Sequence, residues 1–198
     1  MKNRILDASN PADEKLLRKK TKRVKNPQST EVIILGQTMS KICQHPGVAG
    51  VAAPQLGVPL RMFCLSCMGN DKAPTFFLNP RIVSYGEATE SKNEGCLSVP
   101  NKIGSVERST EVLLSWYDHN NKRYEYKFDG FWAQAVQHEM DHLEGTLYID
   151  KATEVHTEEE MRAKWEAAQE ITKMSSEELE KEVISDMQSP LVELEKNQ

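Results

Sequence analysis

The 198-residue chain has no long hydrophobic run. Nothing in it approaches the roughly 20 apolar residues that a membrane-crossing helix requires, so no membrane association of that kind is expected. The opening MKNRILDASNPADEK is charged and lacks an apolar centre, so it reads as neither a secretory signal nor an Arg/Ser-rich transit peptide. Cysteine is scarce: Cys43, Cys64, Cys67 and Cys96. Four thiols in a chain of this length, with no export signal, do not make a disulfide framework. The expected location is a reducing cytoplasm, where a thiol is core filler or a metal ligand. There is no internal repeat and no βαβ alternation, which disfavours a doubly wound parallel sheet.

Charge is present but unevenly placed. Residues 153–198 carry 13 acidic against 5 basic side chains, whereas the first 27 residues carry 9 basic against 3 acidic. This reads as a mildly basic opening and a solvated acidic tail. Neither is dense enough to suggest a specific nucleic-acid partner. The chain divides at this shift of composition into residues 1–152, which hold every chemically suggestive motif, and an acidic helical extension over 153–198.

Within the first part, Ser29 or Thr30 caps a predicted helix over 31–44, with Val32, Leu35, Met39 and Ile42 at helical spacing and Pro46-Gly47 ending it. VAGVAAPQLGVPLRMFCLSC (48–67) reads as extended chain with a turn at Gly57–Pro59. TFFLNPRIVSYG reads as a strand kinked at Pro80. EVLLSWYD and KRYEYKFD form the arms of a hairpin turning at HNN. A helix runs from Phe131 to about Leu143, capped by Asp129 and closed by Gly145. In the extension, Thr157 caps a helix with Met161, Trp165 and Ala168 on one side, and a second short helix follows Ser175. The fold class is α+β: mixed and antiparallel strands around one central helix, with a C-terminal helical extension.

That central helix contains QHEMDH. His138 and His142 are four residues apart and so lie one turn apart on one face, with Glu139 beside the first. Two neutral imidazoles can hold a divalent metal, and the glutamate can exchange protons with metal-bound water. A third ligand is required. The long zinc-protease pattern continues to a further histidine, but HEMDHLEGTLY has Tyr148 there. A downstream glutamate is the alternative in another protease group, and Glu158 to Glu160 and Glu166 are available. Upstream, NEGCLSVP offers Cys96, whose thiolate suits zinc or ferrous iron. The segment GVAGVAAPQLGVP (47–59) has small residues around Gly50 that would let a substrate chain lie close as an added strand, and Gln55 offers an amide donor for an oxyanion. The Cys-x-x-Cys of CLSC (64–67) has neither a helix start nor a second pair and reads as packing. His45, His119 and His156 read as loop or surface residues.

Taken together, VAGVAAPQ (48–55), EGCLS (94–98) and QHEMDH (137–142) resemble, in the same order, the three motifs of the peptide deformylase family, in its shorter bacterial-type branch. LLRKKTKRV (16–24) is similar to that family's opening. The resemblance covers roughly residues 1–150. It implies a metal, Fe2+ with Zn2+, Ni2+ or Co2+ possible in purified protein, held by Cys96, His138 and His142. It implies Glu139 as the acid–base group and Gln55 with the Leu97 backbone N–H as oxyanion donors. The substrate would be a polypeptide beginning with N-formylmethionine, paired with Ala49 and Gly50 and contacted by Arg108. Phe131, Gln134 and Ala135, on the His138 face of the helix, would line the methionine pocket, while Asp141 and Gln137 would support the histidines or pack. Val48, Glu107 and Gln134 depart from the family pattern. Bacterial members carry a basic C-terminal helix that touches the ribosome, whereas a tail of net charge −8 would be repelled by RNA. Any transient ribosome contact is therefore expected elsewhere. The alternative functions are a metallopeptidase using the same helix and a non-catalytic binder of formylated or methionyl N-termini.

Overall fold

A computed structural model describes residues 4–66, 74–163 and 166. Chain contacts divide it into two compact units, Met1–Val155 and His156–Gln198. In the first, the strands are β1 (Gly50–Ala52), β2 (Met62–Leu65), β3 (Thr75–Tyr85), β4 (Thr89–Cys96), β5 (Val99–Ser109), β6 (Glu111–Tyr117) and β7 (Arg123–Asp129), and β8 (Glu154–Thr157) starts at its end. The helices are α1 (Pro11–Leu17), α2 (Thr30–Cys43) and α3 (Gly130–Glu144). One sheet runs β1-β2-β3-β6-β7, and the other has the order β4-β5-β8. All the strand pairs of the larger sheet, and β4 with β5, are antiparallel. The arrangement is the α+β fold that the sequence suggests.

β2 shows why α3 is central. Its four residues, MFCL, are all buried. Met62 and Cys64 pack into the cluster with Val32, Leu35 and Met39 of α2, while Phe63 and Leu65 pack with Ala133, Val136 and Leu143 of α3. A strand covered on both faces reads as an unbroken apolar run rather than an alternation. Burying a side chain such as Val136 or Leu143 contributes about 1.5–3 kcal/mol, and that burial fixes α3 against the sheet.

Several local expectations hold, and several need revision. Ser29 caps α2, its side chain accepting from Val32 N–H. The β6–β7 hairpin pairs Glu111 with Asp129 through Tyr117 with Arg123. β3 breaks register between Leu78 and Arg81, the expected kink. The stretch 48–67 is not simply extended: Ala53–Leu56 form a 3₁₀ turn, closed by Gly57 at φ 73°. Asp129 precedes α3 but makes no side-chain capping hydrogen bond. α1 was not expected, although Asn10-Pro11 carries its signature: the Asn10 side chain accepts from Ala12 and Asp13 N–H, with proline in the first turn.

In the second unit, Thr157 Oγ1 accepts from Glu160 N–H (3.1 Å) and Glu160 accepts from Thr157 N–H (2.7 Å), a capping box opening the expected helix. Trp165, Ala168, the helix after Ser175 and Cys67 lie outside the described residues. Among those described, no helix is long and apolar enough to cross a membrane.

Candidate metal centre

α3 presents its histidines from a fixed frame. Gln137, buried between α3 and β5, accepts from Ser109 N–H (3.1 Å) and donates to Ser109 C=O (2.8 Å), so its amide imitates a strand neighbour. At the other end, Gly145 has φ 77° and a Cβ there would come within 2.4 Å of Arg18 O, so no other residue fits. Thr21 N–H donates to Leu143 O, Leu6 N–H to Gln55 O and Ala8 N–H to Ser98 O. The N-terminal arm thus ties together the helix end, the 3₁₀ turn and the β4–β5 turn, the three places that carry the motifs.

Cys96 ends β4 at a break in register, just before the Leu97–Ser98 turn. Its Sγ lies 3.3 Å from His142 Nε2. One donor atom each from Cys96, His138 and His142 lie within 4.8 Å of one another. Burial raises the Cys96 pKa, but the charge on His142 and hydrogen bonds from both imidazoles outweigh it and bring the thiol down to about 5. Burial lowers that of His138, but hydrogen bonds to Cys96 and Glu94 outweigh it and carry the imidazole up to about 10. A thiolate beside a positively charged His138 suits a divalent cation, which would take the place of that proton, and the His142 imidazole offers a third donor atom. The donor set therefore fits a metal.

Glu94, quoted in the motif but given no role in the sequence reading, orients the site. His138 Nδ1–H donates to Glu94 Oε2 (2.8 Å), which turns Nε2 toward the cradle. Arg108 grips the same carboxylate through Nε (2.7 Å) and Nη2 (2.9 Å), and reaches Asp141 through Nη1 (2.6 Å). Burial alone would raise the Glu94 pKa, but the bonds from Arg108 and His138 hold it down to about 2. Asp141 supports this network rather than touching a histidine directly, and Lys151 closes it from outside (2.6 Å). The signal that could have found Glu94 is a carboxylate beside a thiol ligand; its partner lies 44 residues away.

Glu139 is 4% exposed, and burial raises its pKa to about 7. Gly50 lies against it: a Cβ at Gly50 would fall 2.7 Å from Glu139 Oε1 and 2.8 Å from Leu65 Cδ2. Glu139 Oε2 and His142 Nδ1 are buried without a hydrogen-bond partner among the described residues. The Gln55 amide is oriented by its neighbours. Its oxygen accepts from Ala52 N–H (2.8 Å), so Nε2 points to Cys96 Sγ (3.5 Å) and Ser98 Oγ (3.3 Å).

The expected substrate residues divide. Ala49 and Gly50 lie on or beside β1, an edge of the larger sheet. Leu97, in its turn, is 42% exposed, as is Phe131 at 56%. Ala135 is buried against the sheet cluster. Gln134 is buried, and its Nε2 contacts Asn93 O and Glu94 Oε1 (both 3.4 Å). Arg108 is 5% exposed and committed to two carboxylates. Tyr148 stacks on His138 (6.0 Å between centroids) and donates its hydroxyl to Lys102 O, so the protease's histidine position is filled by a packing residue.

An α+β scaffold that brings a thiol, two imidazoles, a buried glutamate and an amide donor to one spot has the groups that a metal-dependent hydrolase would use. The polypeptide deformylase model matches residues 3–158, and the chain belongs to that family. It is 39% identical over 138 residues to a peptide deformylase of Pelagibacter ubique, covering 69% of this chain and 80% of that one. A Caulobacter vibrioides peptide deformylase is 34% identical over 160 residues, 80% and 92% of the two chains. The crystal structure of the Thermotoga maritima peptide deformylase superposes with a TM-score of 0.69 at 31% identity, over 78% of this chain and 99% of that one.

Proposed function

We propose that this chain hydrolyses the formyl group from the N-terminal N-formylmethionine of newly made polypeptides, releasing formate and a free amino terminus. The observation that carries this reading is the convergence of Cys96, His138 and His142 with the buried Glu139 and the oriented Gln55 amide. Cys96, His138 and His142 would hold the metal, Fe2+ by ligand type and cytoplasmic availability, with Zn2+, Ni2+ or Co2+ as substitutes. Bound there, it supplies Lewis acidity and lowers the pKa of water.

The chain's own residues do the rest. Glu139, held near neutrality, takes the proton of the attacking water and returns it to the leaving amine. Gln55 Nε2 and Leu97 N–H donate to the formyl oxygen as it gains negative charge. The peptide adds as a strand at Ala49–Gly50 to the outer edge of β1, where no described strand pairs. Phe131, Gln134 and Ala135 line the methionine side, with the Gln134 amide turned aside toward Glu94. Arg108 acts through Glu94 rather than by touching substrate. Residues 1–152 form the catalytic part. The acidic 153–198 is an extension that does not dock on ribosomal RNA, so its deletion leaves ribosome pelleting unchanged.

The test is formate release from formyl-Met-Ala-Ser by the anaerobic, iron-loaded protein. Turnover is expected, with kcat falling roughly 10²–10⁴-fold in Glu139→Gln. No turnover with iron, nickel or zinc would refute the activity, and full rate in Glu139→Gln would refute the role of that residue.

A further inference from the structure

β7 is the other edge of the five-stranded sheet, remote in sheet order from β1. Six of its seven residues are exposed, and Phe128 alone is buried. In an antiparallel pair, backbone groups face the partner strand at every second residue. Asp118 N–H donates to Lys122 O and Gly130 N–H to Thr110 O, at the two ends of the β6–β7 register. The bonded positions of β7 are therefore the even-numbered ones. Arg123, Glu125 and Lys127 turn their backbone N–H and C=O groups outward, and no described strand pairs with them.

The side chains along that edge follow a pattern with a two-fold symmetry. From Arg123 the odd positions read Arg123, Glu125, Lys127, Asp129, alternately basic and acidic. The even positions are Tyr124, Tyr126 and Phe128, with the Tyr126 and Phe128 rings 5.0 Å apart and Tyr124 stacked on Trp116 at 5.7 Å. An antiparallel second copy of the strand, centred on Tyr126, sets Arg123 opposite the partner's Asp129 and Glu125 opposite the partner's Lys127. It also sets Tyr126 on itself and Tyr124 against the partner's Phe128. Shifting by two residues either way sets Glu125 against Glu125 or Lys127 against Lys127. Opposite charges directly across a pair stabilise it and like charges oppose it. Backbone polarity thus admits each of these registers, and charge order selects the one centred on Tyr126.

We propose that β7 pairs with β7 of a second copy of this chain about a two-fold axis at Tyr126, joining two five-stranded sheets into one continuous sheet. β7 contributes no residue to the metal centre, and the proposal does not depend on the activity assigned there. The pairing leaves the outer edge of β1 in each protomer unused.

The test is sedimentation equilibrium of the full chain at ~100 µM and below, in low and high salt. A dimer that weakens in high salt is expected. Lys127→Glu, which sets Glu125 against a glutamate, is expected to weaken association at least about tenfold. The double variant Glu125→Lys with Lys127→Glu restores the alternation with signs exchanged, and is expected to regain the dimer. Circular dichroism of each variant reports folding. A wild-type monomer throughout that range, or a dimer indifferent to Lys127→Glu, would overturn the proposal. So would a folded double variant that stays monomeric.

Discussion

The two histidines of α3 sit one turn apart and share a thiolate neighbour, yet the protein treats them differently. His138 is tethered: its Nδ1 is bonded to Glu94, which Arg108 grips twice, and Arg108 leads through Asp141 to Lys151 at the surface. His142 is 1% exposed, and its Nδ1 meets no partner among the described residues. One imidazole is aimed by an ionic chain and the other by close packing. On the first side the cost of error is electrostatic, on the second steric, and the two respond to different mutations.

The largest effect is expected from Glu94→Gln. It removes the tether and leaves Arg108 buried with half its compensation, which costs about 3–5 kcal/mol of stability by denaturant unfolding. Loss of an outer partner of a ligand also costs roughly 10–100-fold in metal affinity, measured by competition with a chelator. The pH dependence carries the same signature. Glu94 is held at about 2 against an ordinary 4.5, so its contribution is complete above pH 4.5 and is lost as pH falls toward 2. Acid unfolding of the wild type should steepen in that window, and the step should vanish in Glu94→Gln. A variant with unaltered acid unfolding would break the contrast between the two histidines.

Gly50→Ala tests the packing around Glu139, the acid between the two histidines in sequence. The new methyl must enter where Glu139 Oε1 stands at 2.7 Å and Leu65 Cδ2 at 2.8 Å. Overpacking of this kind costs about 1–3 kcal/mol, and because Glu139 must move, kcat should fall while metal content stays unchanged. A variant with normal kcat would mean that Glu139 does not work from the place it occupies here. The smallest effect belongs to the outer end of the ionic chain. Lys151 is 44% exposed, so Lys151→Met should cost under about 1 kcal/mol and less still in high salt.

Legibility in the sequence followed the range of the interactions. α2 with its Ser29 cap, the β6–β7 hairpin and the His-Glu-x-x-His face of α3 depend on neighbours within a turn or a hairpin, and all were readable. β4 was not. TESKNEGC is polar and largely exposed, so it offers no alternation to recognise and owes its existence to pairing with β5. The Asn10-Pro11 signature of α1 is equally local, a cap and a first-turn proline within three residues. In the site, the three motifs that cluster around the thiolate were identified by residue type and order. What escaped was second in line: Glu94 under His138, Asp141 bonded to Arg108 instead of an imidazole, and the N-terminal arm bonded to Gln55 and Ser98. Those contacts join residues tens of positions apart, and nothing in local composition marks them.

The central claim is that Cys96 completes a metal centre with His138 and His142. Anaerobic titration with Co2+, followed by the thiolate-to-cobalt absorption, tests it most directly. The wild type should bind ~1 equivalent and develop that band. Cys96→Ser should lose the band and lose affinity beyond the roughly 10–100-fold that removal of an outer partner costs. A Cys96→Ser protein that binds cobalt as tightly as the wild type would contradict the claim and return the third ligand to the residues downstream of α3.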